Sequence, residues 1–161
     1  MIGIISDTHD NMEAIRKAVA FFNSKSVDLV LHAGDLVSPF TFKEFNKLNC
    51  KFYAVFGNND GEKIALKERF KPLCELKDFL ELEFRGLKIC VYHGTFEEIV
   101  RALVDSRIYD VVIRGHTHQP KVEKFDKTLE INPGECCGYL TGKKTIAILD
   151  EKTMNVEIIE L

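Results

Sequence analysis

Apolar and polar positions in the first 70 residues follow two alternating periods. Short β-branched apolar runs predict buried strands at residues 1–6, 27–31 and 51–56. Apolar residues at helical spacing predict helices at residues 11–25, 39–48 and 62–70. Because strand and helix alternate, the pattern favours parallel strands joined by right-handed crossovers.

The pattern changes after residue 70. Strands are predicted at residues 74–84, 87–92, 110–114, 121–125, 129–132, 144–149 and 155–159, with one helix at residues 96–106. No helix is evident after residue 120, so the second half is expected to form an antiparallel or mixed sheet. Packed on the first sheet, it predicts an α/β (α+β) sandwich: two mostly mixed β-sheets face to face, with helices on the outer sides.

Length and composition favour one domain over residues 1–161, because 45% of the residues are hydrophobic and no linker or repeat interrupts the chain. The net charge of −3 provides no general attraction to nucleic acid. No apolar run is long enough for a membrane span, and no basic segment precedes an apolar stretch as in a signal peptide. A cytoplasmic location is therefore expected, without membrane association.

The five cysteines are odd in number and form no C-x-x-C pair, so we expect reduced thiols and no zinc knuckle. The adjacent Cys136 and Cys137 have no assigned chemistry. Four phenylalanines are either core residues or part of a homodimer contact, and the core interpretation is favoured: Phe21, Phe22, Phe40 and Phe42. The oligomeric state is left open.

Five polar motifs follow five predicted strands. They are Asp7-Thr8-His9, Gly34-Asp35, Gly57-Asn58-Asn59-Asp60, His93-Gly94 and Gly115-His116-Thr117-His118. Ligands of open α/β sheets bind at the carboxyl ends of strands. Residues i and i+2 at a strand end point the same way, so His116 and His118 are expected to reach one point while Thr117 points away. Imidazole is the commonest metal ligand in proteins, and the motifs therefore predict a metal site.

Each motif alone has an ordinary structural interpretation. Gly34-Asp35 is typical of a turn or a helix cap, and Asn58 to Gly61 is typical of a turn. The ordered set favours a site, because four of the five histidines lie in the motifs. His32 lies inside a strand and is interpreted as structural or supporting, not as a ligand. Asp60 either orients Asn59 or nearby backbone, or belongs to a simple turn.

The order D-x-H, G-D, G-N-x-D, H-G, G-H-x-H resembles the calcineurin-like metallophosphoesterase superfamily. The chain length and Asn132-Pro133-Gly134 resemble its small single-domain bacterial and archaeal phosphodiesterases. The resemblance implies a sandwich fold and a site for two metals that share Asp35. It implies a first metal at Asp7, His9, Asp35 and His118, and a second at Asp35, Asn58, His93 and His116. Asn59 is the expected catalytic residue, and Asn59 and His9 are the expected substrate contacts.

Two divalent ions about 3.5–4 Å apart repel each other, and a bridging carboxylate with a bridging hydroxide would offset that repulsion. The site would keep about one positive charge and attract a small phosphodiester, which the hydroxide would attack in line with the leaving oxygen. Mixed nitrogen and oxygen donors suit Mn, Ni, Fe, Co or Zn, and Mn or Ni is favoured.

One position departs from the family pattern, because many members carry a histidine where this chain has Asn59. An amide donates a hydrogen bond but delivers no proton. Loss of the acid is therefore expected to slow the departure of a poor leaving group by about 10²–10⁴-fold. Two alternatives stay open: a phosphomonoesterase with the same site, and a non-catalytic scaffold like a eukaryotic sorting-complex subunit of this fold. Long nucleic acid is not an expected partner, since no basic aromatic-rich stretch is present.

Overall fold

The structure, a computed structural model, describes residues 1–161 and contains ten strands and four α-helices. The strands are β1 (Ile2–Ile5), β2 (Leu29–His32), β3 (Lys51–Ala54), β4 (Leu80–Phe84), β5 (Leu87–Val91), β6 (Val111–Ile113), β7 (Pro120–Phe125), β8 (Thr128–Pro133), β9 (Thr145–Asp150) and β10 (Asn155–Glu160). The helices are α1 (Met12–Ser24), α2 (Phe42–Phe45), α3 (Lys63–Phe70) and α4 (Glu97–Asp105). None of these helices has the length and apolar character needed to cross a membrane.

The strands form two five-stranded mixed sheets with the orders β10-β9-β1-β2-β3 and β4-β5-β6-β8-β7. β1, β2 and β3 run parallel in the first sheet, and β5, β6 and β8 run parallel in the second. Three of the four edge strands pair antiparallel: β10 with β9, β4 with β5, and β7 with β8. The predicted sandwich of two mixed sheets is confirmed.

Strand alternation divides β1 between two apolar layers. Ile2 and Ile4 face the layer between the sheets, whereas Ile5 faces the layer beneath α1, α2 and α3. Gly3 leaves room for Phe22 of α1, because a Cβ atom there would lie 2.7 Å from the phenyl ring. Each fully buried isoleucine contributes about 1.5–3 kcal/mol. A smaller layer between α4 and the second sheet contains Cys90, Val104, Tyr109 and Val112.

The expectation that the C-terminal strands belong to the second sheet is wrong. β9 and β10 extend the first sheet, and β9 pairs antiparallel with β1. Ile146 of β9 packs in the helix layer, while Ala147 and Leu149 pack between the sheets. Periodicity predicts the strand but not its neighbour, because the neighbour is selected by burial of both faces against β1.

Two predicted elements are shorter than expected. The helix predicted at 39–48 is a 3-10 turn, Pro39–Thr41, followed by the single turn of α2. The strand predicted at 74–84 begins only at Leu80, and before it only Lys77 bridges to Val55. Cys74 and Leu76 suggested a strand because they are apolar, but they are buried as irregular chain in the helix layer.

The core interpretation of the phenylalanines holds for Phe22, which is buried, and Phe21 and Phe42 pack partly buried against the same layer. It is wrong for Phe40, which is 54% exposed because it lies in the 3-10 turn and not in a continuous helix. All five cysteine thiols are free. A homodimer contact stays a prediction.

Candidate metal centre

The five motifs lie together at one edge of the sandwich, past the carboxyl ends of β1, β2, β3, β5 and β6. Backbone hydrogen bonds tie their loops in pairs. The N–H of Asp7 donates to Gly34 O at 3.0 Å, and that of His9 donates to Asp35 O at 2.9 Å. In the other sheet, Gly115 N–H donates to His93 O at 2.9 Å. Backbone hydrogen bonds thus join four of the five motif loops in two pairs, and the Gly57–Asp60 loop is joined to Asp35 through side chains.

Left-handed backbone aims the motif side chains. Positive φ angles occur at Asp7 (49°), His9 (45°), Asp35 (63°), His116 (70°) and His118 (61°). Such angles are rare outside glycine and cost about 1–3 kcal/mol each. Strand alternation, which was expected to orient His116 and His118, does not apply to them, because both lie beyond Ile113, the last residue of β6. The convergence of the five residues depends on loop conformations that the fold imposes.

Two glycines allow the loops to approach closely. A Cβ atom at Gly115 would clash with Ser6 Oγ and would lie 2.5 Å from Asp7 Oδ2. A Cβ atom at Gly57 would clash with Asp35 Oδ1 and would lie 2.5 Å from its backbone nitrogen. Side chains at these positions would displace the two aspartates.

The first donor group consists of Asp7, His9, Asp35 and His118, whose ligand atoms all lie within 4.8 Å of one another. His118 Nε2 lies 3.4 Å from Asp7 Oδ1, and His9 Nε2 lies 3.8 Å from Asp35 Oδ2. Two of these buried atoms, Asp7 Oδ1 and His9 Nε2, have no hydrogen-bond partner. Buried polar atoms rarely stay unpaired, so this pair of an oxygen and a nitrogen fits a bound cation.

The second donor group consists of Asp35, Asn58, His93 and His116. Asn58 Oδ1 lies 2.9 Å from His93 Nε2 and 2.9 Å from His116 Nδ1. His93 Nε2 lies 3.5 Å from Asp35 Oδ2. Asp35 is thus within 4 Å of one histidine of each group, at 3.8 Å from His9 and 3.5 Å from His93.

His116 and His118 serve different donor groups. His118 lies against Asp7, whereas His116 contacts Asn58. The expectation that both rings reach one point is therefore wrong. Both residues have positive φ angles, 70° and 61°, so the alternation of side chains along a strand does not extend to them.

Buried charge in the centre favours a cation. Asp7 and Asp35 are almost fully buried. Burial, aided by the nearby Asp35 carboxylate and opposed by Ser6 and His118, raises the pKa of Asp7 to about 7. Burial also lowers the pKa of His93, although the Asp35 carboxylate opposes this. The histidine is thus neutral, with a lone pair available to a metal, and a bound cation would favour the ionised carboxylates.

Asp60 holds backbone near the site. Its carboxylate accepts the backbone N–H groups of Val37 at 2.6 Å, Gly57 at 2.7 Å and Asp35 at 3.1 Å. Asp60 is buried, and burial raises its pKa although these hydrogen bonds oppose the shift. Of the two interpretations of Asp60, the structure supports orientation of nearby backbone, since its carboxylate accepts hydrogen bonds from three backbone N–H groups.

His32 supports the site from below. Its Nδ1 accepts the N–H of Gly34 at 3.0 Å, and its Nε2 lies 2.9 Å from Thr8 Oγ1. Both ring nitrogens are therefore occupied, which agrees with a supporting role. Burial lowers the pKa of His32 to about 3, so the ring stays neutral at physiological pH.

Asn59 lies at the exposed mouth of the centre. Its backbone N–H donates to Asp35 Oδ1 and its side-chain amide donates to Asp35 Oδ2, both at 2.8 Å. The structure thus places the predicted catalytic residue beside the carboxylate that the two donor groups share.

Three supporting residues were not predicted from the sequence. Glu135 Oε2 accepts a hydrogen bond from His118 Nδ1 at 2.8 Å. Asn132 donates to Gly115 O at 2.9 Å, and Arg114 contacts the carbonyls of Gly94 and Gly115 from beneath the loops. Asn132 lies near the end of β8 and Glu135 lies just past it, at the same sheet edge as the motifs. Their position after a predicted strand could have identified them as candidates.

Glu135 is ionised at neutral pH. Burial alone would raise its pKa, but hydrogen bonds from the side chain and backbone of Thr141 and from His118 outweigh burial and lower the pKa to about 2. An anion thus lies on the far side of the His118 ring from the donor group.

A cavity of about 470 Å³ opens next to His118. Its lining is mostly polar and carries one lysine and no carboxylate: Thr117, His118, Gln119, Pro120, Leu140, Thr141, Lys143 and Thr145. Tyr139, which precedes the lining residue Leu140, is 57% exposed. Its ring lies 6.0 Å from that of His9. Among the donor residues, only His118 lines this cavity.

Comparison with known proteins identifies the family. The family model described as the calcineurin-like phosphoesterase superfamily domain matches residues 1–154. The chain belongs to this superfamily. The Asp/His cluster described above is typical of metallophosphoesterases, which bind metal at such clusters.

Relatives extend the likeness over nearly the whole chain. A phosphodiesterase of Methanocaldococcus jannaschii is 49% identical over 162 residues, which cover 98% of each chain. The solved structure of an archaeal phosphodiesterase superposes with a TM-score of 0.96 at 47% identity and covers 99% of each chain. Vacuolar Protein Sorting 29 of Cryptosporidium parvum has a TM-score of 0.66 at 16% identity, covering 99% of this calcineurin-like chain and 96% of its own. At that identity the likeness shows the fold alone.

Proposed function

We propose that this chain is a divalent-metal-dependent phosphodiesterase that hydrolyses small phosphodiesters at a dinuclear centre. The observation that carries the proposal is the position of Asp35, which lies 3.8 Å from His9 of one donor group and 3.5 Å from His93 of the other. A single carboxylate between two histidine-containing sets of donors suits two cations that share it. The 49% identity to a phosphodiesterase supports the same reaction.

The first cation would be held by Asp7, His9, Asp35 and His118. The unpaired Asp7 Oδ1 and His9 Nε2 support this site, because a cation would satisfy both atoms. The second cation would be held by Asp35, Asn58, His93 and His116. In that group the Nδ1 of His93 lies 2.7 Å from Ala33 O, so Nδ1 donates and Nε2 keeps its lone pair toward Asn58.

The donor chemistry supports a transition metal. Four imidazoles, two carboxylates and one amide oxygen suit Mn, Ni, Fe, Co or Zn, and Mn or Ni is favoured. An all-oxygen preference such as that of Ca or Mg does not match four nitrogen donors. Thiolates are absent from both groups, since Cys136 and Cys137 are buried with raised pKa values.

When bound, the two ions would supply positive charge for the phosphoryl oxygens and would lower the pKa of water, so that hydroxide is available near neutral pH. The chain itself would orient the substrate. Asn59 donates to Asp35 at the mouth of the centre and would donate to a phosphoryl oxygen there. His9, 19% exposed at its side chain, would contact the substrate from the opposite donor group. Asn59 has no proton to deliver, so the reaction would favour esters with good leaving groups.

The cavity beside His118 would take one ester substituent of the diester. Its volume of about 470 Å³ falls within the usual range of small-ligand pockets. Lys143 would attract an anionic group on that substituent, because no carboxylate lines the cavity. The 49% identity to a phosphodiesterase supports the diesterase over the phosphomonoesterase. Homodimer formation and a cytoplasmic location stay predictions.

The test uses metal-free protein titrated with Mn²⁺ or Ni²⁺ and assayed with bis(4-nitrophenyl) phosphate. We expect two equivalents of metal and metal-dependent release of nitrophenol. Asp35→Asn should bind fewer equivalents and lose more than about 100-fold in turnover, since loss of a mere supporting partner already costs about 10–100-fold. Asp126→Asn, the same change at an exposed aspartate, serves as control.

Two outcomes would contradict the proposal. Turnover that Asp35→Asn leaves intact would remove the shared carboxylate from the mechanism. Metal binding without turnover of any diester would favour the non-catalytic scaffold instead.

A further inference from the structure

Glu135 lies beside the first donor group but belongs to none of the five motifs. Its side chain is fully buried, and Oε2 lies 2.8 Å from His118 Nδ1. The other ring nitrogen of His118, Nε2, faces Asp7 Oδ1 at 3.4 Å. The imidazole is therefore held between two carboxylates, one inside the centre and one behind it.

We propose that Glu135 is a positioning residue that fixes the orientation and tautomer of His118, so that Nε2 faces the first donor group with its lone pair free. The inference rests on the proposed metal-binding role of His118. A carboxylate with hydrogen-bond donors on all sides can only accept, so the Nδ1 of His118 must carry the proton. A carboxylate partner on the second ring nitrogen also makes a metal-binding imidazole more basic.

The surroundings of Glu135 exclude it as a ligand of its own cation. The ligand atoms of His118, Glu135 and Cys137 are close enough together to suggest a separate metal site, outside the two donor groups. However, Cys137 Sγ donates to Oε2 at 3.2 Å, and the backbone N–H of Tyr139 donates to it at 3.0 Å. Thr141 Oγ1 donates to Oε1 at 2.6 Å, and the N–H groups of Leu140 and Thr141 point to the same carboxylate. Hydrogen-bond donors thus occupy both oxygens, and no cation is needed to satisfy the charge.

Glu135 therefore has two separable roles. It closes the loop of residues 137–141, which borders the cavity, and it holds His118. Thr141 contacts only the loop side of the carboxylate, through Oε1, whereas His118 contacts Oε2. Substitutions at Glu135 and at Thr141 can therefore distinguish loop stability from positioning of His118.

The first experiment compares Glu135→Gln with Thr141→Val by Mn²⁺ titration of the metal-free proteins. Glutamine keeps the size of the side chain but presents only one oxygen, so we expect about 10–100-fold weaker Mn²⁺ binding. Thr141→Val removes the hydroxyl that donates to Glu135 Oε1 and accepts the N–H of Lys143. Both contacts lie on the loop side, so Mn²⁺ affinity should stay unchanged. Wild-type affinity in Glu135→Gln, or equal losses in the two variants, would overturn the positioning role.

The second experiment needs no variant and so does not depend on the variants folding. Nitrogen-15 NMR of the metal-free wild-type protein with labelled histidine, at pH 8, reports which nitrogen of His118 carries the proton. We expect protonated Nδ1 and unprotonated Nε2. The opposite tautomer would overturn the inference and leave the proposed function intact, whereas a wild-type protein that binds no Mn²⁺ would overturn both.

Discussion

Asp60 Oδ2 accepts the backbone N–H of Asp35 at 3.1 Å, so a carboxylate outside both donor groups fixes the residue that the two groups share. The same side chain holds Val37 and Gly57. A turn with exposed acceptors would impose no such constraint. Buried hydrogen bonds to a charged group make the position of Asp35 depend on a residue that no substrate contacts.

Asp60→Asn should destabilise the metal-free protein by about 1–3 kcal/mol. The variant keeps one acceptor oxygen but turns an amide toward a backbone N–H, which leaves a buried donor unpaired. Urea unfolding measures the difference, with Asp126→Asn as the exposed control. Equal stability of the two variants would show that the Asp60 hydrogen bonds contribute little.

Asn59→His should broaden activity toward alkyl phosphomonoesters. An imidazole at the mouth of the centre can protonate a poor leaving group, and a positioned acid contributes about 10²–10⁴-fold. Turnover of glycerol phosphate before and after substitution measures the gain, and Asn59→Gln provides an amide of different length without an acid. No rise in monoester turnover above that of Asn59→Gln would contradict the prediction.

His32→Gln should make stability less dependent on pH between pH 7 and pH 5. The folded-state pKa of about 3 lies below the ordinary value of 6.5, so the unfolded chain binds the extra proton first. Wild-type stability should therefore fall as pH decreases from about 6.5. Glutamine does not titrate, so urea unfolding of the variant should show a smaller decrease over this interval, although its stability at pH 7 is lower. If the stability of the variant decreases as steeply as that of the wild type, groups other than His32 cause the pH dependence.

Lys143→Gln should raise the KM for diesters whose substituent carries a second anionic group, while the KM for bis(4-nitrophenyl) phosphate stays unchanged. The effect follows from the cavity lining, where Lys143 has no carboxylate partner. Lys124→Gln, on the exposed strand β7, serves as control. Equal KM changes for both substrates, or for both variants, would place the substituent elsewhere.

Much of the fold follows from local pattern alone. The residues of β1 and α1 carry strong periodic signals, and their bounds agree with the prediction within about two residues, the usual precision of such boundaries. The pairing of β9 with β1 could not be predicted, because it depends on contacts between residues 145 positions apart, such as Gly3 and Ile148. Periodicity carries no information about such long-range pairing.

The candidate site could likewise be predicted only in part. The donor residues could be named because histidine, aspartate and asparagine after successive strands form a recognisable order. Their geometry could not, because the left-handed backbone at Asp7 and His118 comes from the surrounding loops and not from local preference. Glu135 was missed because a lone glutamate has no motif, and its meaning depends on contact with a histidine 17 residues earlier.

The position of β9 also has a consequence for how the protein is made. Every donor proposed here lies between residues 7 and 118, yet β1, which leads into Asp7, is flanked on one side by a strand that begins at Thr145. When residue 118 leaves the ribosome, all the donors exist but the sheet that seats the first of them is incomplete. We expect the nascent chain to acquire its metals only after β9 has emerged and docked.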